Sequence, residues 1–209
     1  MLASHDDTRR VDPRVKRTRK LINQAFVDLM NEKGFQAITV QDIADRAEVN
    51  RATFYAHYED KYDLLDRYVR EGFRDWLSQK VSPQEGFRLD LLARLVAGVF
   101  EFSAEMNDHC GRLDKQLEPM LALAMQEELA AFLQEWFRQP YGDAPALRQP
   151  EEAVAMIWSW AILGAGMQWS RGGKELSAKE AAGQVVEVLL RPLEGGPEFP
   201  GRRPLLLNG

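Results

Sequence analysis

Apolar residues recur along most of the chain at spacings of three, four and seven, the period of helices with one greasy face. From Pro13, the stripe Val15, Ile22, Ala25, Phe26, Leu29 and Met30 predicts a long helix, and Gly34 reads as its stop. Thr39 then opens a capping box with Asp42, starting a short helix with Val40, Ile43, Ala44 and Ala47 inward. A turn of Glu48, Val49 and Asn50 follows, and Asn50 is a good N-cap for a brief helix over 51–58. A long helix starts near Lys61, its stripe running through Leu64, Leu65, Tyr68, Val69, Phe73, Trp76 and Leu77, and stops before Ser82 and Pro83.

The remainder also reads as helix. Residues 84–107 form one candidate, followed by a break at 107–111 and a short helical turn at 112–118. Pro119 suits the first residue of a helix running to Gln139. The stretch 140–150 is a loop, 151–171 a further helix closed by Gly172 and Gly173, and Ser177 caps a last helix ending before Pro192. No segment alternates with period two for long enough to make a strand. The fold class expected is all-α.

Two short helices joined by a three-residue turn are the minimum for a helix-turn-helix, a weak signal by itself. In such a unit the first residues of the second helix approach base edges, while flanking groups hold phosphates. Arg51 and Ala52 open that helix: an arginine matches guanine O6 and N7, and an alanine methyl matches a thymine methyl. Thr53 suits either base or backbone. Thr39 stands at a helix N-terminus, where the dipole favours anions. Phe54 and Tyr58 read as core.

The stretch from Ile38 to Lys61 goes further. Thr39, Asp42, Ile43 and Ala44, then Thr53, Tyr55, His57, Tyr58 and Lys61, fall in the order and spacing of a family pattern. With the helix before it, the segment resembles the DNA-binding domain of the TetR family of transcriptional regulators. The resemblance implies that Tyr55, His57 and Lys61 hold phosphates; phenol, imidazole and ammonium are all competent donors. It further implies a homodimer on a palindromic operator of double-stranded DNA, most simply a repressor released by a small apolar or amphipathic effector. One position departs: the family usually has glycine in the turn, and here it is Glu48. At positive φ a glutamate carries about 1 kcal/mol of strain, and its carboxylate faces nearby phosphate unfavourably.

Charge then sharpens the picture. The formal net charge is -5, against nucleic acid on its face. Yet residues 9–20 hold seven cations against Asp12 alone, about +6, leaving about -11 on the rest. A basic arm on an acidic body suits a protein that touches phosphate with one end. The organisation expected is a flexible basic arm at 1–12, a three-helix DNA-binding domain at 13–60, a larger helical effector-binding and dimerisation domain at 61–191, and a flexible tail at 192–209.

Within that larger domain, Phe100, Met106, Leu117, Met120, Trp136 and Trp160 are candidate effector-pocket residues, with Leu123, Met125 and Phe132 beside them. Ile157, Ala161, Gly164 and Ala165, with Val185, Val188 and Leu189, are candidates for a four-helix dimer interface. His109 and the single cysteine, Cys110, are too few ligands for a closed metal site; neither metal nor cofactor is expected. The start of the chain has no apolar core of a signal peptide and no run is long enough for a membrane span, so a cytoplasmic setting is expected. No nucleophile elbow, zinc-protease motif or phosphate loop points to an enzyme. The alternative weighed is a helix-turn-helix regulator or adaptor controlled by a protein partner, without a small-molecule effector.

Overall fold

The computed structural model describes residues 12–110, 116–139, 149–172 and 175–190, with only the backbone path given at 107–110. Eight α-helices and one 3-10 turn follow in order: α1 (Pro13–Lys33), α2 (Val40–Arg46), α3 (Arg51–Tyr55), α4 (Lys61–Lys80), the turn Pro83–Glu85, α5 (Leu89–Cys110), α6 (Glu118–Phe137), α7 (Glu151–Arg171) and α8 (Ala178–Leu190). No strand occurs among the described residues, and the fold is all-α. No helix among them is long and apolar enough to cross a membrane. The expected arm, tail, most of the 140–150 loop and most of the short turn at 112–118 lie outside the described residues.

The chain divides into two compact units: Met1–Gly72 with His109–Ala124, and Phe73–Asp108 with Met125–Gly209. The division falls inside α4 rather than at its start, because Leu64 and Leu65 are buried and Tyr68 packs its ring edge on Phe26 of α1. The first unit centres on Ile22, Phe26, Phe35, Ile43, Phe54 and Tyr58, all at or below 2% exposure. Burying each such ring or aliphatic chain stabilises the unit by about 1.5–3 kcal/mol.

The second unit is knit by rings. Phe87 meets Trp136 at 5.0 Å between centroids, Phe137 meets Trp158 at 5.4 Å, and Phe73 and Trp76 each meet Phe102 at 5.0 Å. Gly166 lets α7 cross α5 closely: a Cβ there would sit 3.0 Å from Ser103 Oγ and 3.3 Å from the Phe100 ring. A buried polar link, Gln126 Nε2 donating to Ser159 Oγ at 2.8 Å, joins α6 to α7.

Three elements differ from expectation. α3 ends at Tyr55, because the His57 N–H turns back to Phe54 O at 2.9 Å in a tighter turn. Where a break was expected from 107, α5 runs through to Cys110, since nothing before Gly111 forbids helical backbone. The candidate helix at 84–107 starts only at Leu89, after a 3-10 turn led by Pro83 and closed by Gly86 at φ 73°.

Candidate nucleic-acid interface

The helix-turn-helix is assembled by local bonds between residues three apart. Thr39 Oγ accepts from the Asp42 N–H at 3.1 Å, while the Asp42 carboxylate accepts from the Thr39 N–H at 2.8 Å and its hydroxyl at 2.7 Å. Lys33 adds an ion pair at 2.9 Å. Bonding from the Thr39 hydroxyl first, then from Lys33 and the Thr39 amide, pushes the Asp42 carboxyl down to about 2. Asn50 repeats the device, accepting from the Thr53 N–H at 2.7 Å and its hydroxyl at 2.9 Å. Between the caps, the Val49 N–H returns to Ala44 O at 2.9 Å, a closure that puts Glu48 at φ 55°. The glutamate therefore occupies the left-handed region expected of the family's glycine.

Behind α3, Phe54 and Tyr58 are buried at 0% and 2% exposure, so both pack as core. In front, Arg51, Ala52 and Tyr55 are exposed, with Thr53 and His57 half-buried. The Arg51 guanidinium lies 5.8 Å over the Tyr55 ring and donates to its hydroxyl at 3.2 Å. These two side chains, four positions apart, thus form one cationic and aromatic surface. Burial, and secondarily the charge of Arg19, hold the His57 imidazole below its ordinary range.

Two predicted site residues are committed elsewhere. Lys61 donates to the carbonyls of Phe35, Gln36 and Ile38 at 3.1, 3.3 and 2.9 Å. All three N–H bonds of its ammonium are thereby spent, and the ion sits 4.6 Å over the Phe35 ring. Desolvation lowers its pKa. Thr39 is likewise consumed by its cap, its hydroxyl donating to and accepting from Asp42. Thr53 spends its hydroxyl proton on Asn50 and presents only an acceptor.

Sequence reasoning passed over the group behind Tyr58. That phenol donates to Asn23 Oδ1 at 2.9 Å, and Arg19, close enough to act on Tyr58 electrostatically, donates to Glu71. Arg46 locks α2 to α1 through a two-pronged pair with Glu32 at 2.7 and 2.8 Å. The Arg19 and Glu71 positions are 52 residues apart, so no periodicity announces them.

The other predicted residues fall as follows. Phe100 and Trp136 are fully enclosed, Leu117 is buried, and Met106 and Met120 are half-buried. Trp160 does not line the interior: it is 45% exposed, on the face of α7 that carries Ile157, Ala161 and Gly164. Val188 is exposed, Ala165 and Val185 are intermediate, and Leu189 is buried at 7% exposure, so it packs within the chain. His109 and Cys110 side chains lie outside the described residues.

A cap-turn-cap segment with a buried ring pair behind a cationic outer face defines a helix-turn-helix protein. The chain matches the sequence pattern of bacterial regulatory proteins, tetR family, over residues 22–68. It is 37% identical over 81 residues to YxbF, an uncharacterized HTH-type transcriptional regulator of Bacillus subtilis, covering 37% of this chain and 21% of that one. It is 32% identical over 100 residues to the HTH-type transcriptional repressor KstR2 of Mycobacterium tuberculosis, covering 48% and 49%. These matches thus span between about a fifth and a half of the relatives' own length. In overall fold the chain is similar to Thermus thermophilus FadR, a TetR-family transcriptional repressor solved with lauroyl-CoA, at TM-score 0.56 and 22% identity over 89% of this chain and 100% of that one.

Proposed function

We propose that this protein is a sequence-specific, DNA-binding transcriptional regulator, acting as a homodimeric repressor released by a small apolar or amphipathic effector. The observation that carries the reading is the α3 surface: Arg51, Ala52 and Tyr55 exposed together, held out by Phe54 and Tyr58 buried beneath them. Arg51 and Ala52 read base edges in the major groove, Thr53 adds an acceptor, and Tyr55 and His57 hold phosphates. Lys61 and Thr39 serve the interface by fixing the ends of α4 and α2.

Dimerisation is supported by the outer face of α7 and α8, where Met156, Ile157, Trp160 and Val188 are 47%, 58%, 45% and 65% exposed. Gly164 and Gly183 leave open space on the same helices. Large apolar side chains left exposed together on one helix mark an interaction site, and a twofold copy would match a palindromic operator. An effector is supported by Trp136, whose buried indole N–H has no hydrogen-bond partner among the described residues. An orphaned donor costs about 1–3 kcal/mol, and an acceptor on a bound molecule would relieve it. The effector would act by favouring a state in which α4 shifts and changes the separation of the two recognition helices.

The test is footprinting of genomic DNA bound by the protein, repeated with lauroyl-CoA as a first amphipathic probe. Arg51→Ala is expected to relax base preference at one position, at a cost of about 1–3 kcal/mol. Tyr55→Ala should weaken all sequences alike. Salt-insensitive binding, or unchanged affinity in both variants, would refute the docking; tight DNA binding that no small molecule relieves would favour control by a protein partner.

A further inference from the structure

A five-residue helix cannot hold its own direction. The orientation of α3 is therefore set by what its two ends are tied to. Asn50 fixes the first end through Thr53. The second end is anchored by Tyr58, whose ring is 2% exposed and whose hydroxyl needs partners in the core. It finds one on α1, donating to Asn23, and the Arg19 guanidinium lies close enough to act on it electrostatically. Those two residues are four apart and so share one face of α1. Arg19 then reaches across to Glu71 of α4. The Arg19 guanidinium thus lies between the Tyr58 end of the recognition helix and the helix that leaves the domain.

The place of this contact along α4 matters. The first compact unit takes in α4 only as far as Gly72, so Glu71 lies at the last turn of α4 that belongs to it. Arg19 and Glu71 side chains are 33% and 44% exposed. An ion pair that exposed contributes only about 0–1 kcal/mol to stability. It is too weak to be needed for folding and weak enough to be broken when α4 moves. The Tyr58 end, by contrast, is buried, so a change in the Arg19 arm is felt directly by the recognition helix.

We propose that Arg19 is a positioning residue for DNA binding: it holds Tyr58, and with it the recognition helix, in the binding orientation only while Glu71 of α4 holds Arg19. The inference rests on the DNA-binding reading above. It makes the Arg19–Glu71 contact the point at which a displacement of α4 reaches α3. The competing role for an exposed arginine on a basic helix is direct contact with a DNA phosphate, and the two roles differ in measurable ways.

The experiment uses the full chain and a duplex that the wild-type protein selects from a random library, with affinity measured across a salt series. Glu71→Gln is expected to weaken binding roughly two- to fivefold and Arg19→Met by at least as much, with the double variant no weaker than Arg19→Met alone. The salt slope should stay at the wild-type value in all three, because no phosphate contact is lost. Arg19→Lys, which keeps the charge but cannot span both partners, should bind as weakly as Arg19→Met. Direct phosphate contact gives the opposite pattern: Glu71→Gln binds as tightly as wild type or tighter, Arg19→Lys is near wild type, and Arg19→Met lowers the slope by about one. That pattern overturns the proposal, as do additive losses in the double variant. Should Arg19→Met fail to fold, Glu71→Gln and Arg19→Lys still decide the matter. Failure of the DNA-binding reading looks different, since the wild-type protein would then select no duplex at all.

Discussion

Replacing Glu48 by glycine should make the protein more stable and bind DNA more tightly, by two separable effects. The residue sits at φ 55°, where a side chain with a Cβ costs roughly 1–2 kcal/mol. It is exposed, and its carboxylate takes part in no contact among the described residues, so substitution forfeits no interaction. Glycine relieves the strain but adds about 0.5–1 kcal/mol of unfolded-chain entropy. The net gain is then about 0.5–1 kcal/mol, or roughly 1–4 °C in melting temperature for a chain of this size. Alanine keeps the Cβ and the strain, so Glu48→Ala should melt within about 0.5 kcal/mol of wild type. Both variants lose the carboxylate, whose repulsion of a phosphate about 8 Å away in water is about 0.5 kcal/mol. Both should therefore bind DNA about twofold more tightly at low salt, with the difference fading as salt is added. Calorimetric melting and a salt series of binding isotherms read the two effects separately. Glycine no more stable than alanine would refute the backbone argument; affinity unchanged in both would refute the electrostatic one.

Lys61→Met leaves three carbonyls without their donor, so it should destabilise the protein by about 2–3 kcal/mol. Full thermal stability together with lost DNA affinity would return Lys61 to a phosphate role. The Asp42 carboxyl is depressed from 3.8 to about 2. Its contribution to stability is therefore fully present above pH 3.8 and fades as pH falls through about 2. Asp42→Asn should accordingly lower stability at pH 6 but make little difference at pH 2, read from urea midpoints at the two values. Ile157→Glu removes a 58%-exposed apolar side chain from the centre of the proposed dimer face. Losing about 1.5–3 kcal/mol of burial twice by symmetry predicts a dimer weakened by at least about a hundredfold. Sedimentation should show monomer; an unchanged dimer would place the interface elsewhere.

Much of the interface was legible in the sequence because its bonds are short-range. Thr39 with Asp42 and Asn50 with Thr53 are each three residues apart, and the caps they form announce helix starts without any knowledge of tertiary contacts. The strain at Glu48 was legible for the same reason. Lys61 was not: its partners are 23 to 26 residues away. Nothing in residue type separates an ammonium that caps carbonyls from one that awaits a phosphate. The Arg19 contact with Glu71 is hidden in the same way, since a pairing of two surface charges leaves no periodic trace.

Helix α7 carries more apolar residues than its own chain covers. Its apolar positions are too many for one stripe, and a helix apolar on most sides is expected to be covered on most sides. Within the protomer the structure covers only part of it: Ala155, Trp158, Ile162 and Leu163 are buried, while Met156, Ile157 and Trp160 remain exposed. Periodicity placed Trp160 in a pocket and Leu189 on an outer face because it counts apolar residues without telling which neighbour covers them. Their exchange is informative. With Trp160 outside and Leu189 inside, the exposed apolar residues of α7 share that helix with Gly164, where a Cβ would meet nothing within 4 Å. A second copy offering the same surface is the partner that would cover it on both sides at once.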